Sequence, residues 1–521
     1  MKPLVLAALV LAAGTSIGSA TAGTPASVLG AVPRSSAKLH AASSPGPMTF
    51  DASYVSLINR YFTDVQAASG TSSNVYSVAT QYSDGSGAVQ YRSTFGGAYV
   101  DKDPLPADGC TDGLDRVCLT DQQVQGEIQA VLTATGWHGG PTNLFFLMTP
   151  AGVGICADSL GGSCSSNAFC AYHSAFSDPS GEQVIYAAEP YEGPVGGCGG
   201  GPADQVGTGF GFPNDPDADT TINTISHEHT EAITDPFGDA WYAFSGVNYE
   251  IGDLCAYYYG AELGVAANGQ PYNQVINGHD YSLQEEYSNA DGGCAPRLGG
   301  TSSPPSNGSG PLAYHTGQVM HTNTMYAIYW LPTPGNTHRP ALRGTAAVNK
   351  KLTSSAGGWN GAATGYSYQW QRCSRSGKSC VDISGATGST YTLTALDRSA
   401  TVRSTVSARN VNGPSPYVAS AGKLVTVAPT AIRAPRISGR ATVGRRLAAA
   451  RGGWRWSPTA FRYQWLRCSR SGAGCVPIRN ATHAKYRVSR QDSGHRLRLR
   501  VTARNAAGAR TASSRPTARV R

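Results

Sequence analysis

The strongest constraint on this chain of 521 residues is an internal duplication. Gly357-Gly358-Trp359 recurs as Gly452-Gly453-Trp454. Tyr368-Gln369-Trp370, followed by Arg372-Cys373-Ser374-Arg375-Ser376-Gly377, recurs as Tyr463-Gln464-Trp465, followed by Arg467-Cys468-Ser469-Arg470-Ser471-Gly472. Ala408-Arg409-Asn410 recurs as Ala503-Arg504-Asn505. Every match lies 95 positions on, without slippage. That regularity means two copies of one folding unit, residues 338–428 and 433–521. Each copy alternates apolar and polar residues in short runs, such as Ser367-Tyr368-Gln369-Trp370-Gln371 and Leu497-Arg498-Leu499-Arg500-Val501. Gly, Ser and Asn turns separate the runs, so each copy is expected to be a small β-sandwich.

The repeats resemble the immunoglobulin-like domains appended to many secreted bacterial proteins. They differ from antibody domains because the two cysteines of each copy are seven positions apart, which staples a hairpin instead of bridging two sheets. They contain no titratable cluster, so binding or spacing is their expected role. Charge supports binding. Residues 431–521 carry 22 Lys/Arg against Asp492 alone, and residues 338–430 carry 11 against 2, while residues 1–337 carry 8 against 30 acids. A basic rear behind an acidic front should adhere to anionic polymers such as teichoic-acid-like wall material or acidic glycans, with no specific nucleic acid as target; the alternative is an adhesive or solvated surface with no specific partner.

Lys2, the apolar Leu4 to Ala13 and the small residues Ala20-Thr21-Ala22 read as a secretory signal over residues 1–22. Residues 23–47 are poor in aromatics and are expected to be loose. No run is long enough to span a bilayer. The 12 cysteines then read as a disulfide framework. Cys373/Cys380, Cys468/Cys475, Cys110/Cys118 and Cys255/Cys294 are the expected pairs. Cys156, Cys164, Cys170 and Cys198 allow three connectivities.

Residues 48–297 form the acidic domain, and Gly/Ser/Pro-rich residues 298–312 read as a flexible linker. Helical spacing runs over Asp51 to Ser69, and a second helix opens at Asp121. Val75 to Tyr82, Val89 to Phe95, Asn143 to Met148, Ala168 to Phe176 and Gln183 to Ala188 read as strands. With a late helix over Thr220 to Thr234, the expectation is an α/β or α+β domain.

The late helix carries His227, Glu228 and Glu231. His227 and Glu231 are four apart and share a face, so the pair can chelate a metal. Glu228 occupies the place where zinc hydrolases hold their general base. The pattern is HExxE, with Glu250 or Asp253 as the candidate third ligand. His229 falls on another face, as a surface or supporting residue. Asp215, Asp217 and Asp219 read as capping and helix-dipole compensation, since a calcium loop would need Gly at 220 and Glu at 226. Tyr257, Tyr258 and Tyr259 with Trp241 and Tyr242 suit either a glycan groove or the core. Glu285 and Glu286 read as a solvated pair.

The run from Ser226 through Tyr242, then Glu250-Ile251-Gly252-Asp253-Leu254-Cys255, resembles the bacterial branch of the exordium (phosphate-induced protein) family. Tyr272 to His279, Leu283 to Cys294 and Ser93 to Val100 extend the likeness over most of residues 48–297. The resemblance implies export and a wall-space setting. It supports the HExxE position without supplying an activity. Family members open with a Tyr-His-x-Gly-x-Val-Met strand and a Tyr-x-Ile-Tyr-Trp run. Here these stand late, as Tyr314 to Met320 and Tyr326 to Trp330. A circular permutation is the expectation: residues 313–333 return to the acidic domain's sheet.

The sequence thus predicts a secreted, extracellular or cell-wall-associated protein, with an α/β domain bearing a metallohydrolase-like helix followed by two all-β immunoglobulin-like sandwiches. One function is a zinc-dependent, peptidase-like hydrolase, with zinc on His227, Glu231 and Glu250 or Asp253, and Glu228 activating water on a peptide substrate. The alternative is a non-catalytic wall- or glycan-binding adhesion protein.

Overall fold

The computed structural model describes residues 29–33, 48–112, 115–157, 162–191, 198, 206–245 and 247–521. The expected signal peptide and most of the segment 23–47 lie outside them. The chain divides into two compact units, one ending at Pro332 and one beginning at Thr333.

The first unit is built on β1 (Leu29–Pro33), α1 (Ala52–Ala67), β2 (Ser93–Asp101), α2 (Asp121–Thr135), β3 (Asn143–Met148), β4 (Phe169–Ser177), β5 (Gln183–Glu189), α3 (Pro216–Thr234) and β6 (Asn323–Trp330). The strands form one sheet in the order β1-β4-β5-β3-β6-β2. β5, β3, β6 and β2 run parallel, and β4 and β1 close one side antiparallel. Adjacent residues of β4 show the two faces. Tyr172, with Tyr186 of β5, donates its hydroxyl hydrogen bond to Asp121 at the start of α2. His173 points the other way, to the side of α3. Helices therefore cover both faces, as a largely parallel sheet requires.

β6 is an interior strand. Thr324 to Tyr329 pairs with Asn143 to Met148, and Asn323 to Trp330 pairs with Ser93 to Asp101. Met325, Ala327, Ile328 and Tyr329 are fully buried, and Trp330 donates its indole N–H to the Asp103 carbonyl at 2.9 Å.

Four expectations need correction. The segment 23–47 is not loose throughout, since β1 pairs Leu29 to Pro33 against β4. Residues 298–312 do not behave as a free linker. Ser303 exchanges two backbone hydrogen bonds with Cys294, Ser306 donates to the Ala256 carbonyl at 2.8 Å, and Leu312 is buried. Small polar residues here satisfy backbone groups of the domain surface, a role composition alone does not distinguish from freedom. Val75–Gln81 is a 3-10 helix, capped by the Asn74 side chain on the Tyr76 N–H, in place of a strand. The strand expected over Val89 to Phe95 begins at Ser93.

All twelve cysteines pair: 110–118, 156–164, 170–198, 255–294, 373–380 and 468–475. With no free thiol, the chain suits an oxidising, extracellular setting. No helix among the described residues is long and apolar enough to cross a membrane.

The second unit holds the two repeats as all-β sandwiches. The long hairpin strands β7 (Gly365–Cys373) and β8 (Thr401–Asn410) in the first correspond to β9 (Ala460–Cys468) and β10 (Arg496–Asn505) in the second. Trp370 packs with Leu352, Leu393, Val402 and Val425, and Trp465 packs with Leu447, Val488, Leu497 and Leu499. Each repeat buries one aspartate. Asp397 accepts from Arg372 Nη2 at 2.8 Å and Tyr391 Oη at 2.9 Å, and Asp492 accepts from Arg467 Nη2 and Tyr486 Oη at 2.7 Å each.

Candidate metal centre

α3 starts where its sequence says it should. Asp215 accepts the backbone N–H groups of Asp217 and Ala218 at 3.2 Å each, and Pro216 takes the first turn. Asp219 accepts from Asn214 N and Nδ2, and Asp217 from the Tyr191 hydroxyl, so these acids serve the helix start. The helix is buried from Ala218 to Thr234 despite its polar sequence. Its threonines make that tolerable by returning their hydroxyls to carbonyls of the previous turn, as Thr220 does to Pro216 at 2.7 Å and Thr234 to Thr230 at 3.0 Å.

One turn of α3 presents His227 and Glu231 together. His227 Nε2 is 2.9 Å from Glu231 Oε1 and 3.6 Å from Asp253 Oδ1. Asp253 comes from the loop after Glu250, where its N–H donates to Glu231 Oε1 at 3.0 Å and the Glu250 N–H donates to its Oδ2 at 3.1 Å. The Cys255–Cys294 disulfide fixes the loop two residues further on. Gly252 is required by close approach: a Cβ there would stand 2.8 Å from His227 Nδ1. Gln284 holds the other side of the ring, its amide nitrogen 2.8 Å from Nδ1 and 3.0 Å from the Gly252 carbonyl.

His173, not among the expected ligands, also reaches this site. Its Nδ1 is 3.2 Å from Glu228 Oε2 and 3.7 Å from Glu231 Oε2, and its Nε2 is 3.8 Å from Glu250 Oε2. Glu250 therefore lies beside His173, and Asp253 beside His227. A lone histidine in the apolar run Phe169-Cys170-Ala171-Tyr172-His173 was the available signal. Glu286, expected in solvent with Glu285, is fully buried next to the cluster, and Glu285 is buried too. Its strand, Glu286–Ser288, pairs with Gly293–Ala295, which holds the pair inside. His229 is also buried. It contacts the Tyr76 hydroxyl at 3.1 Å and Asn323 Oδ1, at the start of β6, at 2.9 Å. Tyr257 and Tyr259 pack on the Cys170–Cys198 disulfide, in the core and not along a groove.

The electrostatics are those of a cage short of cations. Glu189, Glu228, Glu231, Asp235, Glu250, Asp253 and Glu286 gather around His173 and His227, all buried. Burial, then the neighbouring carboxylates, pushes Glu189 and Glu250 well up from the usual range, and burial does the same to Glu286. It lifts Glu228 to about 7 and Asp235 and Asp253 to about 6. Burial opposes the charge on Glu231 as well, but His227 and then His173 more than offset it and hold this carboxyl at about 2. For both imidazoles burial disfavours the charge, and the carboxylates around them outweigh it, so both are raised.

A divalent ion fits this donor set. Tetrahedral coordination at 2.0–2.1 Å separates its ligands by about 3.3 Å, and the His227, Glu231 and Asp253 distances of 2.9 and 3.6 Å bracket that value. Buried His227 Nε2 and Glu231 Oε2 have no hydrogen-bond partner, as atoms reserved for an ion would lack one. Metal on Nε2 places the ring proton on Nδ1. Gln284 must then turn its amide so that Oε1, unpartnered as it stands, accepts that proton in place of the contact to Gly252.

No family model matches the chain, and no curated protein does. Among solved structures, the DIP-gamma IG1+IG2 pair aligns at 12% identity and TM-score 0.20, over 36% of this chain and 98% of that one. Chicken CNTN1 FN1-FN3 domains align at 14% and 0.18, over 48% and 82%. Titin domains A168-A170 align at 14% and 0.23, over 54% and 88%. At such scores the likeness carries no weight, and the sandwich architecture stands on the sheets described above.

Proposed function

We propose that this chain is a secreted adhesion protein of exordium-like type, whose acidic domain folds around a divalent ion and whose basic repeats hold an anionic wall polymer or glycan. The carrying observation is the segregation of charge. The repeats' 33 Lys/Arg face three acids, and two of those, Asp397 and Asp492, are buried in internal pairs. Phosphate- or carboxylate-bearing polymers answer such a surface. The burial of the metal cage supports a structural ion over a turnover site, since His227, Glu228 and Glu231 are fully enclosed. Retention of the full chain on immobilised wall teichoic acid, falling steeply between low and physiological salt, is the expected result. Equal retention on an uncharged glucan matrix overturns the reading.

A second reading has one observation in its favour: Glu228 stands beside His227 in HExxE order. Zinc bound here would lower the pKa of a bound water. Glu228, raised to about 7 by burial, is placed to take that proton. Hydrolysis of a peptide or glycan library that disappears in Glu228→Gln, with metal retained, supports this reading; no turnover removes it.

A further inference from the structure

We propose that the cage holds two divalent ions, with Glu231 bridging them: one on His227 Nε2, Glu231 Oε1 and Asp253 Oδ1, the second on His173 Nδ1, Glu228 Oε2 and Glu231 Oε2. This rests on the metal reading of the first trio and extends it to residues that HExxE does not include. The donor atoms of each trio lie within 4.8 Å of one another.

His173 is fixed by the backbone of α3's C-terminal end. Its Nε2 is 3.2 Å from the Asp235 carbonyl oxygen. A carbonyl only accepts, so Nε2 carries a proton, and Nδ1 is the nitrogen left to face an ion once its own proton is displaced. That nitrogen meets Glu228 Oε2 at 3.2 Å. In a buried site a proton or a metal ion must stand between these two atoms. A proton on Nδ1 would serve Glu228 but not Glu231. Glu231 Oε2 is 3.7 Å from the same nitrogen, an ion-pair separation too long for a hydrogen bond, and has no hydrogen-bond partner although fully buried. A metal ion serves all three donors at once. Meanwhile Glu231 Oε1 is turned to His227 and to the Asp253 N–H. The carboxylate thus offers one oxygen to each trio. The backbone bond from His173 to Asp235 fixes the ring as a ligand's ring is normally fixed. Mixed imidazole and carboxylate donors suit zinc, manganese, cobalt or iron in the divalent state.

The probe is Mn2+, added to metal-stripped full-length protein. Metal per chain is measured after gel filtration, and the spin state by electron paramagnetic resonance. Two ions per chain with exchange-coupled spectra are expected. His173→Ala should retain one ion, with an uncoupled six-line signal. One ion in the wild type, or two in His173→Ala, overturns the second site and leaves the first standing. No bound metal overturns both. If His173→Ala fails to fold, the stoichiometry and coupling of the wild type decide alone.

Discussion

Glu228 Oε2 lies 3.2 Å from His173 Nδ1, a side chain that reaches α3 from β4 across 55 positions of sequence. The residue that HExxE order marks as a general base is therefore already engaged by an imidazole on the sheet. The cage is a tertiary construction, with a helix turn, a strand and a disulfide-pinned loop each adding donors.

Gly252→Ala should disturb the cage without touching a ligand. The added methyl would stand 2.8 Å from His227 Nδ1 and 2.9 Å from its Cε1, so the ring or the loop must shift. A loss of about 1–3 kcal/mol is expected from overpacking, together with weaker metal retention. Denaturant unfolding and metal content of the variant check both, and unchanged values would contradict the packing described.

Metal occupancy should fall with acid. Both imidazoles are raised, and Asp253 is lifted to about 6, so the metal-free cage holds protons near neutrality. An ion must displace those protons, so binding releases them and tightens as pH rises. Dialysis at pH 8 should preserve the metal and dialysis at pH 5 should remove it. Equal content at both would contradict a cage of imidazole and carboxylate donors.

His229 gives a separate acid signature. Burial holds its imidazole down, from 6.5 to about 4, so it is neutral in the folded chain. The unfolded chain binds the proton first as pH falls. The stability this group contributes is whole above 6.5 and is lost as pH falls through about 4, with a ceiling on the order of 3 kcal/mol. Against the wild type, His229→Gln should show a flatter dependence of stability on pH between 6.5 and 4, measured by urea unfolding of metal-stripped protein. Parallel curves would mean that His229 does not titrate there.

Removing residues 313–332 should abolish the fold of the acidic domain, because β6 pairs on both sides, with β3 and with β2. A soluble, cooperatively melting deletion variant would contradict its interior place. In the repeats, Asp397→Ala and Asp492→Ala should each cost about 3 kcal/mol, the low end for buried pairs because the arginines stay 26% and 22% exposed. Calorimetry of the full chain reads the lowered transition.

Local pattern made part of this legible. The 95-residue repeat, the α3 caps and the close cysteine pairs rest on interactions between near neighbours or on exact recurrence. The joining of His227 to Glu231 is a property of one helix turn. His173, Glu286 and Gln284 were not legible, because the sheet and the Glu286–Ser288 hairpin carry them to α3 from a distance. Val75–Gln81 misled because apolar alternation fits a strand, while Asn74 caps a tight helical turn there. Residues 298–312 misled because Ser and Gly serve as well in a docked segment as in a free one.

On the reading proposed above, α3 and its neighbours enclose a divalent ion. Elemental analysis of the purified full-length chain, beside Glu231→Ala, tests it most directly. Bound divalent metal is expected in the wild type, with its loss in the variant and a lower melting temperature once a chelator strips the wild type. A wild-type protein free of metal, with the same melting temperature in chelator and in added zinc or manganese, would contradict it.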